Sequence, residues 1–296
     1  MPLYRVTHTT CYHHRPPASA AWQSVHLSPR NEATQHCDSF ELEIAPAPAD
    51  LFSRVDFFGN RQHFFSLLAP VTELSITSHC LVSREEPTVP MSGLTPPLAE
   101  ARNQVGALAV GEQFVLDQFR YASPLVPLLS AAARLADEFE LDDSVPALAW
   151  LVALGERFRA EFTYDPKATN ISTPLAEVLA TRRGVCQDFA HTLVSCLRQH
   201  GLPAAYVSGY LLTKPPPGQP RLRGADAMHA WISAFIPGTG WIDYDPTNAC
   251  FAGAAHIVVA RGRDYADVSP VKGVFRGGAH TLTTEVTVEP DENEAA

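Results

Sequence analysis

Three short segments hold the residue types that acyl-transfer chemistry needs: a thiol, an imidazole and a carboxylate, in that chain order. The first is Gly184-Val185-Cys186-Gln187-Asp188-Phe189-Ala190. Its cysteine opens an apolar-periodic stretch, so it stands at a helix N-terminus, where unpaired backbone N–H groups and the helix dipole favour the reactive thiolate. The competing reading of Cys186, a buried structural thiol, suits Cys196 better, which falls mid-helix. The second segment, Ala227-Met228-His229-Ala230-Trp231-Ile232, puts a histidine at the mouth of a strand directly after a polar loop. From there an imidazole can take a thiol proton and return it to a leaving amine. His191 is a poorer base. It lies five residues beyond Cys186 on the same helix and points about 140° away at 3.6 residues per turn.

The third segment is Gly240-Trp241-Ile242-Asp243-Tyr244-Asp245-Pro246-Thr247-Asn248. Strand alternation sends Asp243 and Asp245 to the same face, so periodicity does not choose between them. Register bears on either. A tight turn at Gly238-Thr239 would put Asp245 opposite Ile232, on the wrong face for His229. A loop from Ile236 to Gly240 pairs Phe235 with Trp241 and sets Asp245 opposite Trp231, on the histidine's face and roughly 7–8 Å away along the diagonal. The second arrangement is therefore expected.

The elements that must hold these residues are legible in outline. Up to about residue 84 the chain is β-rich, with strand-like runs at 3–10, 24–27, 38–44, 51–57, 61–67 and 74–83, separated by turn residues such as Gly59-Asn60. This predicts a small all-β domain over 1–84. A proline-rich linker over 85–97 follows, then a catalytic core over 98–296. Helix starts are expected at Ser123-Pro124, Ser144 and Thr173-Pro174, each before an apolar stripe. A helix from Cys186 to His200 presents Phe189, Leu193, Val194 and Leu197 on one side and is stopped by Gly201-Leu202-Pro203. Strands are expected at 205–212, 229–235 and 241–244, with a surface loop over Lys214–Asp226 and one or two more strands in the tail.

Composition narrows the function classes. The chain has 296 residues, 46% of them hydrophobic, and a formal net charge of −10 without a basic cluster, which disfavours a nucleic-acid partner. No apolar run approaches the roughly 20 residues of a membrane span. The N-terminus lacks the basic-then-apolar pattern of an export signal, so a cytoplasmic location is expected. The six cysteines have no tight spacing and are expected to be free thiols.

The order Gly-x-Cys, His-Ala-Trp and Gly-Trp-x-x-x-Asp-Pro-Thr resembles the bacterial transglutaminase-like superfamily. Phe162-Thr163-Tyr164 and Tyr206-Val207-Ser208-Gly209-Tyr210 are similar to that family too, and so is Arg263-Asp264-Tyr265-Ala266-Asp267-Val268. Leu27-Ser28-Pro29-Arg30 and Asp56-Phe57-Phe58-Gly59-Asn60 resemble the β region that precedes the core in many bacterial members. The resemblance implies an α+β fold, with a papain-like core of helices packed on an antiparallel sheet after a small all-β domain. It selects Asp245 over Asp243, because the family's aspartate precedes Pro-Thr. It further implies a Cys186 nucleophile, a His229 base and an orienting Asp245, acting on a protein or peptide amide without metal or cofactor. The Cys186 N–H is the expected oxyanion donor, and a second donor is unassigned. Trp241 is read either as a wall of the cleft or as core packing.

Two other classes compete. One is a non-catalytic binding module on the same fold. The other is a metal-binding protein using Cys11, His13 and His14, His36 and Cys37, or His79 and Cys80, although their spacing matches no standard zinc site.

Overall fold

In the computed structural model, which describes residues 1–213 and 228–291, six strands come first: β1 (Leu3–Ala18), β2 (Ala20–Val25), β3 (Gln35–Ala45), β4 (Asp50–Val55), β5 (Arg61–Leu67) and β6 (Val71–Arg84). Alternation shapes β1: Tyr4, Val6, His8, Thr10, Tyr12 and His14 are buried, while the residues between them face outward or lie partly exposed. Helices α1 (Leu98–Gly106), α2 (Val110–Asp117), α3 (Ser130–Glu138) and α4 (Ala147–Glu161) follow. Next come β7 (Thr163–Tyr164), α5 (Leu175–Thr181), β8 (Arg183–Gly184) and α6 (Cys186–Gln199). The chain continues through β9 (Ala204–Leu211), β10 (Met228–Ile236), β11 (Gly240–Asp245), β12 (Cys250–Phe251) and β13 (His256–Gly262). It closes with a one-turn helix α7 (Tyr265–Val268), β14 (Val271–Arg276) and β15 (Ala279–Pro290). The expected loop Lys214–Asp226 lies outside the described residues.

The fold is α+β. A five-stranded antiparallel sheet, ordered β12-β11-β10-β9-β13, carries α6 on one face, where Phe189, Leu193, Val194 and Leu197 meet Ala230, Ile232 and Ala234. Two four-stranded sheets, β15-β1-β6-β3 and β14-β2-β5-β4, form the N-terminal sandwich around Tyr12, Leu27, Phe65, Leu74 and Ile76. The sequence places the tail strands with the core, whereas β15 pairs with β1 and β14 with β2. Alternation over 281–288 marks a strand without naming its partner, and this partner lies some 280 residues upstream.

Three helix starts differ from expectation. Residues 123–129 are not helical, because Pro127 disfavours the α conformation at Val126. Instead Leu125 N–H donates to Asp264 (2.8 Å) and the Pro127 carbonyl accepts from Ser195 (2.8 Å). The N-cap position of α4 is Pro146, not Ser144. Helix α5 has Pro174 as its N-cap residue, one position after the expected Thr173 cap. Neither helix has a side-chain cap, although Thr95 Oγ1 accepts the Leu148 N–H of α4 at 3.1 Å. Helices α1 and α2 have no counterpart in the sequence reading.

Helix α4 reaches the five-stranded sheet through a close approach. A Cβ on Gly155 would lie 2.2 Å from the Tyr244 hydroxyl oxygen, so only a hydrogen fits there. Tyr244 immediately precedes Asp245. Gly155→Ala should therefore destabilise the protein by about 1–3 kcal/mol through overpacking, despite alanine's better helix propensity. Chemical denaturation of the two proteins checks this, and equal midpoints would refute it.

Candidate active site

Cys186 is the first residue of α6, and the start of that helix is fixed by polar contacts. The Asp188 carboxylate folds back to accept the Val185 N–H at 2.9 Å and the Thr169 hydroxyl at 2.6 Å. This explains the glycine two residues before the thiol. A Cβ at Gly184 would stand 2.6 Å from the Asp188 carboxylate oxygen. An acidic group in the first turn also complements the helix dipole.

His229 enters from β10. Its partner strand β11 pairs Phe235 with Trp241, the register expected from the face argument, although Ile236 also pairs with Gly240 and shortens the turn. The positive φ of Gly238 (76°) and Gly240 (93°) makes that turn possible. His229 Nε2 meets Asp245 Oδ2 at 2.7 Å, and the imidazole shares a cavity of about 310 Å³ with Cys186, whose sulfur is close enough to interact with it. With Nε2 committed to the carboxylate, Nδ1 is the nitrogen available to the thiol.

Electrostatics follow from this arrangement. Burial works against a charge on His229, but the hydrogen bonds to Asp245 and Cys186 outweigh it and push the imidazole up to about 10. Asp245 is fully buried. Burial alone would raise its pKa, yet hydrogen bonds from His229, His256 and Asn248 hold it well below the usual carboxylate range. His191 is a core histidine instead: its Nε2 accepts the Tyr265 N–H at 3.1 Å, and burial lowers it to about 4.

The structure separates the two carboxylates that alternation could not. Asp243 is held by Arg261 at 2.7 and 2.9 Å and accepts the Trp231 indole N–H at 3.2 Å. Asp245 takes the histidine. Trp241, on the same strand, lies against Phe119 and Phe235 rather than in the cavity with Cys186, and it is 39% exposed, so neither expected role describes it.

Two features escaped the sequence reading. The first is His256, which begins β13 and reaches Asp245 Oδ2 at 3.2 Å. Its Nδ1 accepts the Gly253 N–H (3.2 Å), so Nε2 carries the hydrogen donated to the carboxylate. The sequence gives no sign of this beyond one histidine among twelve. The second is the cavity's far wall, built by His8, Thr10 and Tyr12 of β1 and by Leu282 and Thr284 of β15. His8 is buried between Tyr210 (3.1 Å) and Thr10 (3.2 Å), and burial lowers it to about 4.

His229, Asp245 and His256 offer ligand-type atoms within 4.8 Å of one another, a grouping a metal could use. The donor set does not fit one. His256 Nε2 faces the carboxylate as a donor, and Asp245 Oδ2 already accepts Asn248 Nδ2 at 2.6 Å. The N-terminal His/Cys groups are dispersed by strand alternation: Cys11 meets Ser75, Cys37 the Ser39 carbonyl and His79 the Thr7 hydroxyl. Among the described residues they form no three-ligand cluster. All six cysteines are free thiols.

Comparison with known proteins supplies the family. Residues 4–83 match the bacterial transglutaminase-like N-terminal region, and residues 133–246 match the transglutaminase-like superfamily. A Mycobacterium tuberculosis protein of uncharacterised function is 38% identical over 97% of this chain and 91% of its own length. A protein-glutamine gamma-glutamyltransferase of Pseudomonas aeruginosa is 34% identical over 39% of this chain, but only 18% of that protein. A Cytophaga hutchinsonii structure, described as a candidate cysteine protease, shares the fold with a TM-score of 0.75 at 19% identity, covering 98% of this chain and 92% of its own. On its sequence, its fold and the convergence of Cys186, His229 and Asp245, the chain belongs to the transglutaminase-like superfamily.

Proposed function

We propose that this protein is a cysteine-dependent enzyme that cleaves or transfers the acyl group of a protein or peptide amide or carboxamide through a thioester on Cys186. The observation that carries the reading is the bond from His229 Nε2 to a fully buried Asp245, in a cavity that also holds the thiol at a helix N-terminus. The Cys186 sulfur attacks the carbonyl carbon, and His229 gives its proton to the departing nitrogen as the C–N bond breaks. Water or a second amine then attacks the thioester, giving up a proton to His229 as the sulfur leaves. Asp245 keeps the imidazole oriented and stabilises its charged form. The Cys186 N–H, at the first turn of α6, serves the oxyanion.

The cavity favours an uncharged substrate group. Beyond the Cys186 and His229 pair itself, no Asp, Glu, Lys or Arg side chain among the described residues lines it, while Thr10, Tyr12, Ser208, Met228 and Thr284 do. A side-chain carboxamide or a peptide bond suits such walls better than a carboxylate would. The likeness to a protein-glutamine gamma-glutamyltransferase supports the same class of substrate.

Labelling with iodoacetamide at pH 6–7, followed by peptide mass mapping, tests the nucleophile. Cys186 should react first, because it opens α6 in the cavity it shares with His229, whereas burial raises Cys37 to about 11 and Cys196 to about 12 and also raises Cys80 and Cys250. His229→Ala should slow labelling and acyl transfer from a glutamine-bearing peptide to water or an amine by roughly 10²–10⁴-fold. Uniform labelling of all six thiols would refute the assignment.

The pH profile tests Asp245. An imidazole raised above its ordinary value keeps its charge through neutrality and loses it as pH rises through about 10, so activity that needs imidazolium should fall on that alkaline limb. Asp245→Asn removes the main support of that charge and should move the limb to lower pH. An unmoved limb would show that Asp245 does not act through His229. For His256, replacement by alanine removes a hydrogen bond to a charged group, roughly 1.5–3 kcal/mol, and should cost about 10–100-fold in kcat/KM. His256→Gln, which can still donate, should recover most of it. A purely structural role would leave glutamine as poor as alanine.

A further inference from the structure

We propose that the protein carries a second ligand site, apart from the catalytic cavity, that takes a small carboxylate with an apolar body. A cavity of about 710 Å³ opens between α2, the segment after β6, and β11, and shares no lining residue with the cavity around Cys186. That volume falls within the range of small-molecule sites.

The charge in its floor sets the ligand's sign. Arg261 spends its guanidinium on Asp243 (2.7 and 2.9 Å) and on Glu32 (2.7 and 2.8 Å), and Arg30 shares Glu32 at 3.0 Å. Arg84 makes a third cation over these two carboxylates. It is 2% exposed and held by neutral acceptors: Nε donates to the Gly253 carbonyl at 3.2 Å and Nη1 to Gln35 Oε1 at 3.1 Å. Its Nη2 has no hydrogen-bond acceptor among the described residues. Glu86 also acts on Arg84 through space, but it is exposed, and its Oε2 accepts the Ala254 N–H at 2.7 Å. A buried guanidinium without a direct counter-ion is costly, and an entering carboxylate offers the paired oxygens it lacks.

The mouth sets the ligand's body. Phe57, Val115 and Trp241 rim the cavity and are 62%, 49% and 39% exposed, with Phe119 beneath them. Apolar side chains left in water around a concave site mark a place where an apolar ligand gains by covering them.

Calorimetric titration of the full chain with 4-phenylbutyrate tests this, with 4-phenylbutanol as the uncharged control. One saturable site is expected, with the alcohol at least about tenfold weaker. Arg84→Gln should bring the carboxylate down to the alcohol's affinity while leaving Cys186 labelling unchanged. Val115→Trp, a change at an exposed rim position, should block both ligands, and it decides the matter even if Arg84→Gln fails to fold. Equal affinity for acid and alcohol, no binding by the unmodified chain, or binding unaffected by Val115→Trp would overturn the proposal.

Discussion

A carboxylate with no contact with water must be satisfied where it stands, and Asp245 imposes that requirement on everything around it. Left unpaired, a buried charge costs several kcal/mol. Here five hydrogen bonds answer it: His229, His256 and Asn248 Nδ2 on one oxygen, and the Thr247 and Asn248 N–H groups on the other. The local sequence provides for the last two. Proline at 246 keeps Asp245 extended, and the chain then turns so that the next two free N–H groups point back at the carboxylate. Each of the two imidazoles comes from a different strand, so satisfying one charge ties β10, β11 and β13 into one assembly. The imidazole nearest the thiol takes its orientation as a result.

Asp243, two residues earlier on the same face, shows how neighbours decide the fate of chemically identical groups. It is absorbed by Arg261 and by the Trp231 indole. That indole in turn lies against both histidines, with ring centres 6.1 Å from His229 and 5.3 Å from His256. Gly209, opposite His229 on β9, leaves room for it: a Cβ there would stand 2.4 Å from the Trp231 ring. The ion-paired aspartate therefore acts as scaffolding. It fixes the tryptophan that walls the histidines, while its neighbour fixes the proton-bearing nitrogen.

The site was legible in the sequence because its determinants are local. A helix start, a strand mouth and an Asp-Pro turn are each written in a few adjacent residues, and the face argument for Phe235 and Trp241 needs only the pleat. What depends on distant pairing was not legible. Nothing near His256 shows that it will meet Asp245, and nothing in 279–290 shows that it will pair with β1. Pro127 and Pro146 shifted two helix starts that Ser123 and Ser144 suggested, since a proline restricts the backbone on both sides while a serine only offers a cap. The choice of Asp245 over Asp243 likewise rested on family resemblance, because the Arg261 that occupies Asp243 is remote in sequence.

The N-terminal sandwich is more than an appendage to this core. Its motif residues form the joint: Arg30 binds the Phe58 carbonyl at 2.9 Å and Asn60 Oδ1 at 2.5 Å, and Asn60 meets the Arg261 backbone through both its amide atoms. Gln35, almost fully buried, takes the Val258 N–H and gives its own N–H to the Val258 carbonyl, both at 2.8 Å. Strand β13 is an outer strand of its sheet, so a side chain from β3 supplies the hydrogen bonds that its unpaired edge lacks. With the sheet edge sealed this way, β1 and β15 are held over the thiol as a wall of its cavity. The walls of the cavity around Cys186 are thus set jointly by the two halves of the chain, and the β-sandwich is part of the site rather than a neighbour to it.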